Sequence, residues 1–108
     1  MDEDGYPTEE TLSRIRTWEI KGSADLIAAL DFIGEHWLYP EYWRKRPRRM
    51  RAWKRGRLHR IYEVHTGGWS GNESLISAME DNDMLWMLSW QEIKRGGHYI
   101  FEIDEEMA

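Results

Sequence analysis

A chain of 108 residues accommodates one compact domain with its own core and is too short for two ordinary ones. It contains no cysteine, which excludes disulfides, thiolate zinc sites and thiol catalysis. The net charge of −5 conceals a division: Arg44 to Arg60 holds ten of the fifteen Lys and Arg residues and no Asp or Glu, so it carries +10 while the remainder carries five minus twenty, −15. No run approaches the roughly 18 apolar residues of a membrane span, and the acidic start MDEDGYPTEE is unlike a signal peptide. A soluble protein of the cytoplasm is expected.

Residues 1–6 read as a disordered acidic lead-in. Pro7-Thr8-Glu9-Glu10 then reads as a helix start, with Thr8 as cap and carboxylates in the first turn, followed by Leu12 and Ile15 at helical spacing. Gly22-Ser23 breaks that pattern, and Ser23 is the expected cap of a second helix with Leu26, Ile27, Leu30, Ile33, Trp37 and Leu38 on one stripe. Tyr39-Pro40 ends it. Seven tryptophans supply much buried area in a small domain, and part of the set Trp18, Trp37, Trp86 and Trp90 is expected in the core.

The basic stretch reads as an insertion spanning about residues 44–57. Leu58 to His65 has strand character, ended by a glycine-rich loop. A third helix follows, carrying Leu75, Ile76 and Met79 on one face, with Ser70 or Asn72 as cap and Glu73 in the first turn. Asn82-Asp83 is read as a turn, and Met84, Trp86, Leu88 and Trp90 as alternate positions of a central strand. Lys94 to Gly97 forms a hairpin loop into a last strand, with Tyr99, Phe101 and Ile103 facing one way and His98, Ile100 and Glu102 the other. Residues 105–108 are expected to fray. The predicted fold is α+β: a small, mostly antiparallel three-stranded sheet with helices on one face, in the order ααβαββ.

Two glycine loops carry the functional expectation. Thr66, Gly67, Gly68, Trp69, Ser70, Gly71, Asn72 and Glu73 lie between a strand and a helix, the layout of a phosphate cradle, although the spacing is neither GxGxxG nor GxxxxGK[ST]. Trp69, between glycines, is the expected ligand-facing ring. Arg95, Gly96, Gly97 and His98 form the second loop, offering a forked cation and a titratable ring. In an antiparallel sheet the two loops are expected at the same edge of the domain. His65 and His98 are candidate donors to a ligand, although each taken singly reads first as a hydrogen-bonded strand or loop residue. Ser70, His98 and Glu73 are the residue types of a nucleophile, base and orienter, and His65, His98 and Glu73 those of a metal site, but no spacing marks either. Binding without turnover, cofactor or metal is the favoured reading.

The motifs YPTEETL near the start, TGGWSGNE in the middle and RGGHYIFEI near the end resemble those of a family of small phage and prophage proteins. The resemblance covers the ends and the second half, and residues 44 to 57 depart from it. It implies a phage accessory product rather than a virion building block, acting in the cytoplasm of an infected bacterial host, and brings no residue roles with it. The leading expectation is therefore an accessory protein that holds a small anionic, nucleotide-like ligand and counters host defence. The alternative uses the basic segment, where Trp43, Arg44, Arg46, Arg48, Arg49, Arg51, Trp53, Lys54, Arg55 and Arg57 interleave cations with indoles as a nucleic-acid or host-protein surface. A small hydrolase is third.

Overall fold

The computed structural model describes residues 6–49 and 58–104. Helix α1 spans Glu9–Arg16 and starts as its sequence predicts, with Thr8 Oγ1 accepting the Thr11 N–H at 3.2 Å and Glu9 and Glu10 in the first turn. Helix α2, Ser23–Glu35, starts differently. Gly22 occupies the cap position and Ser23 is already helical, while Asp25 reaches back to accept the Lys21 N–H at 2.8 Å. The carboxylate ties the chain ahead of the helix to its first turn and does not replace a side-chain cap. Leu26, Ala29, Leu30 and Ile33 form the buried stripe of α2, continued by Trp37.

The basic segment opens as a strand. β1 (Trp43–Arg49) pairs antiparallel with β2 (Leu58–His65), from Trp43 opposite Val64 to Arg49 opposite Leu58. Pro47 lies within β1, which is tolerated because β1 is an edge: the sheet order is β1-β2-β4-β3. The sheet therefore has four strands among the described residues, all antiparallel, where three are predicted.

Helix α3 spans Ser70–Glu80. The following segment corrects a second expectation. Asp83–Ser89 is a helix, α4, and only Trp90–Lys94 is strand β3. Asn82 caps α4 through Oδ1, which accepts the Leu85 N–H at 3.2 Å, and Asp83 occupies its first turn. Leu85 and Ser89, four residues apart, point inward. Trp86 stacks on Trp90 and meets Tyr99 and Phe101 edge-on. Among the described residues the order is thus ααββααββ, with one 3-10 turn at Pro40–Tyr42.

β4 (His98–Asp104) closes a hairpin with β3 and lies antiparallel to β2 in mid-sheet. Its alternation is the predicted one. Tyr62 and Val64 of β2 and Phe101 and Ile103 of β4 share one buried cluster with Ile15, Leu30, Ile33, Leu75, Met79 and Leu85 from the helices. The helices therefore cover one face. The other face presents Glu63, His65, His98, Ile100 and Glu102 at alternate positions. Gly34 matters here: a Cβ at this position would run into the Trp43 indole, so the glycine lets that ring lie on α2.

Candidate functional site

The two glycine loops meet. After β2 the chain turns through Gly67 and Gly68, at φ +64° and +73°, and the Trp69 N–H donates to the Thr66 carbonyl at 3.1 Å. Two successive left-handed residues require glycine at low cost. Gly96 and Gly97 repeat the device at +83° and +76° in the β3–β4 hairpin. The Thr66 N–H donates to the Gly97 carbonyl at 3.0 Å, one bond beyond the His65–His98 strand pair. A Cβ on Gly97 would collide with Thr66 Oγ1. Close backbone approach, as well as φ, therefore selects glycine at position 97.

A cleft opens on each side of this junction. On the sheet face opposite the helices, Glu41, Tyr42, Arg44, Glu63, His65 and His98 line a space of about 250 Å3. The two imidazoles lie 4.0 Å apart between centroids, at 72°, and Tyr42 meets His65 edge-on at 6.1 Å. Tyr42 is placed by a turn in which its N–H donates to the Tyr39 carbonyl at 2.9 Å. Tyr39 itself adopts φ +64°, a strained value for a residue with a side chain. Arg44 is held by donation from Nε to the Glu41 carbonyl at 3.3 Å. On the helix side, Thr66, Gly68, Glu73, Gly96, Gly97 and Tyr99 line a second space of about 270 Å3. The Tyr99 hydroxyl is held above its ordinary pKa by burial, and further by the nearby Glu80 and Glu73 carboxylates. That lining holds one carboxylate and no cation, whereas the first cleft has Arg44 and two imidazoles beside its two glutamates.

The expected residues divide accordingly. Thr66, Gly67, Gly68, Gly96, Gly97 and His98 converge, and Glu73 lines the helix-side cleft. Trp69 lines neither cleft. Its ring packs on Tyr6 at 5.0 Å and over Gly71, and its indole N–H is buried without an acceptor among the described residues. Ser70 Oγ shares a hydrogen bond with the Tyr6 hydroxyl at 2.9 Å, so Tyr6, assigned to the lead-in, is part of the packed domain. Residues 1–5 and 105–108 lie outside the described residues.

Asn72 neither caps α3 nor faces a ligand. It is buried, accepting the Leu38 N–H at 2.9 Å and donating to the Leu38 and Thr66 carbonyls at 3.0 and 3.1 Å. This brace, with donation from Trp37 Nε1 to the His65 carbonyl at 2.8 Å, fixes the end of α2 to the end of β2. Arg95 is exposed in the hairpin loop and lines neither cleft. Ser70, His98 and Glu73 do not share a site: one is bonded to Tyr6, and the other two line different clefts. Among the described residues no three metal-ligating side chains gather.

Of the alternative surface, Trp43 is half-buried against Trp37 and Tyr62, so its ring serves the core rather than a base. Arg44, Arg46 and Arg48 occupy alternate positions of β1, and Arg49 ends it. Lys45 pairs with Asp31 at 2.8 Å. Arg51, Trp53, Lys54, Arg55 and Arg57 lie outside the described residues. Glu41, Tyr42 and Glu63 were not singled out for the ligand site. A period of two from His65 signals Glu63, and the tyrosines beside Pro40 signal the turn that brings Tyr42.

Comparison of the chain with family models, with curated proteins and with solved structures gave no match. Among the described residues no helix is long and apolar enough to cross a membrane.

Proposed function

We propose that the chain is a phage accessory protein that binds a small, nucleotide-like anionic ligand without turning it over, and that the ligand sits on the sheet face opposite the helices, at the junction of the glycine loops. The observation that carries this reading is the convergence of His65, His98, Arg44 and Tyr42 around one cleft. Arg44 and the imidazole N–H groups suit phosphate or carboxylate oxygens, Tyr42 gives a ring a surface to pack on, and Glu41 and Glu63 accept from sugar hydroxyls or a base amino group. A ligand with both anionic and donor groups matches this mixed lining better than a bare anion. Sequestering a host signalling nucleotide, and so countering host defence, is the role this binding serves. The resemblance of the three motifs to phage proteins supports it.

Thermal melts against a panel of nucleotides and cyclic dinucleotides test the reading. A ligand that binds only the folded state raises Tm. The shift is expected to disappear in Arg44→Ala and His65→Ala and to survive in Arg95→Ala. No shift across the panel overturns it.

A second reading rests on β1 alone. Alternate strand positions fall on one face, so Arg44, Arg46 and Arg48 form a row along an edge strand that suits a phosphate backbone. Binding to DNA or RNA that weakens steeply with salt and is lost when these three become Gln is its signature.

A further inference from the structure

The large apolar side chains left at the surface are not scattered. Apart from three tyrosines, every exposed large hydrophobic residue among those described lies between Met84 and Ile93. Met84, Met87 and Leu88 occupy positions i, i+3 and i+4 of α4 and so share its outer face, opposite the buried Leu85 and Ser89. Met87 is 75 % exposed and Met84 50 %. β3 continues the patch. Ile93 pairs with Tyr99 and Trp90 with Phe101, which puts both on the helix-covered side of the sheet, yet Ile93 is 51 % exposed and Trp90 40 %. The patch thus borders one open sheet edge, and a monomer rarely leaves such a surface without a partner.

We infer that β3 and α4 form a two-fold interface through which two copies of this chain associate, β3 against β3. The sequence of the strand is self-complementary in one antiparallel register. With Ile93 on the two-fold axis, Ile93 stands opposite Ile93 of the second copy, acidic position 92 opposite basic position 94, and position 94 opposite position 92. Each copy thus supplies one half of two opposite-charge cross-strand pairs, and like charges are not brought together. A slip that centres the axis on Glu92 sets two glutamates face to face, so charge specifies the register.

The axis of this pairing runs perpendicular to the sheet, so both helix layers stay on the same side. The outer face of each α4 then flanks Ile93 from both copies and covers the apolar patch. The irregularity between Trp90 and Glu92 limits regular pairing to a few residues, so burial of the helix face supplies most of the association. The opposite edge does not compete. β1 carries Pro47, which lacks an N–H, and five cationic residues, Arg44, Lys45, Arg46, Arg48 and Arg49. An isologous β3 contact closes as a dimer, whereas β3 against β1 of another copy propagates without closing. This inference is independent of the ligand reading.

Sedimentation velocity of the full chain over a concentration series tests it. The expected species has twice the 13.0 kDa chain mass. Ile93→Lys changes a side chain already exposed in the monomer, so its circular dichroism should match the parent while the dimer is lost and the concentration dependence of its melt disappears. Lys94→Glu sets carboxylates against each other and should weaken association roughly tenfold, and the swap Glu92→Lys with Lys94→Glu should restore it. A parent that stays monomeric at every concentration overturns the inference. So does a dimer indifferent to Ile93→Lys, or a swap no better than the single variant.

Discussion

Thr66 and Gly97 are joined so closely that position 97 has no room for a side chain: the Thr66 N–H donates to the Gly97 carbonyl at 3.0 Å, and Thr66 Oγ1 fills the space where a Cβ at position 97 would stand. This contact is where the loop after β2 and the β3–β4 hairpin become one site.

Gly97→Ala should therefore cost more stability than Gly96→Ala. Both replace a glycine at positive φ, with a strain of about 1–2 kcal/mol. Nothing lies within 4 Å of a Cβ at Gly96, so only Gly97→Ala adds a collision. Urea denaturation of the two variants should show the difference, and equal costs would show that the loops are not packed as described.

Asn72→Ala should destabilise by about 3 kcal/mol, because three backbone groups lose their partner in a buried setting. Amide exchange supplies the specific readout. The Leu38 N–H should lose protection in the variant well before the N–H groups of the β2–β4 ladder.

Asn82 joins α1 to α4, donating to the Ile15 and Trp18 carbonyls at 2.9 and 3.0 Å while accepting from Leu85. Asn82→Ser keeps a good cap and loses both donated bonds, an expected loss of about 2 kcal/mol. Asn82→Ala should lose about 1 kcal/mol more, the contribution of the cap. Equal losses in denaturant melts would remove the capping role.

Tyr99 predicts an alkaline dependence. Burial, and then Glu80 and Glu73, raise its pKa above the ordinary value of 10.0. Below that value the hydroxyl is neutral in both folded and unfolded chains. As the pH rises between the unfolded and the folded value, the unfolded chain releases its proton first, so stability falls. In Tyr99→Phe this component is absent, and the stability of the variant should decline less between about pH 9 and 11. Parallel curves for the two proteins would contradict the shift.

Much of the framework was legible because its signals were local. The Thr8 cap, the apolar stripe from Leu26 to Trp37 and the alternation of β4 each follow from nearest-neighbour spacing. The segment from Met84 to Trp90 was misread because its apolar residues serve two purposes. Leu85 faces the core while Met84, Met87 and Leu88 stay outside, so hydrophobicity shows no clean period, and the helix start at Asn82-Asp83 was taken for a turn. β1 escaped for the opposite reason. Its strand pairs through backbone groups, and five cations and a proline carry no strand pattern.

The candidate site was half legible. Glycines that must turn and approach one another announced Thr66, Gly67, Gly96, Gly97 and the neighbouring histidines. What lay beyond reach was direction. Only the packing of Tyr6 and Pro7 shows that Trp69 turns under the N-terminal segment, and only the β1–β2 register brings Arg44 beside Glu63.

The strand order β1-β2-β4-β3 bears on how the chain reaches this arrangement. Each outer strand pairs with a sequence neighbour, whereas the central β2–β4 ladder joins segments separated by both α3 and α4. Two ribbons can form early and cheaply, but their union must close the entire stretch from Trp69 to Arg95. The Thr66–Gly97 bond and the facing imidazoles belong to that union, so the candidate cleft is a property of the finished sheet and not of either ribbon. A ligand bound there, as proposed, would engage groups that come together only once both ribbons have joined, and should slow unfolding more than it speeds folding.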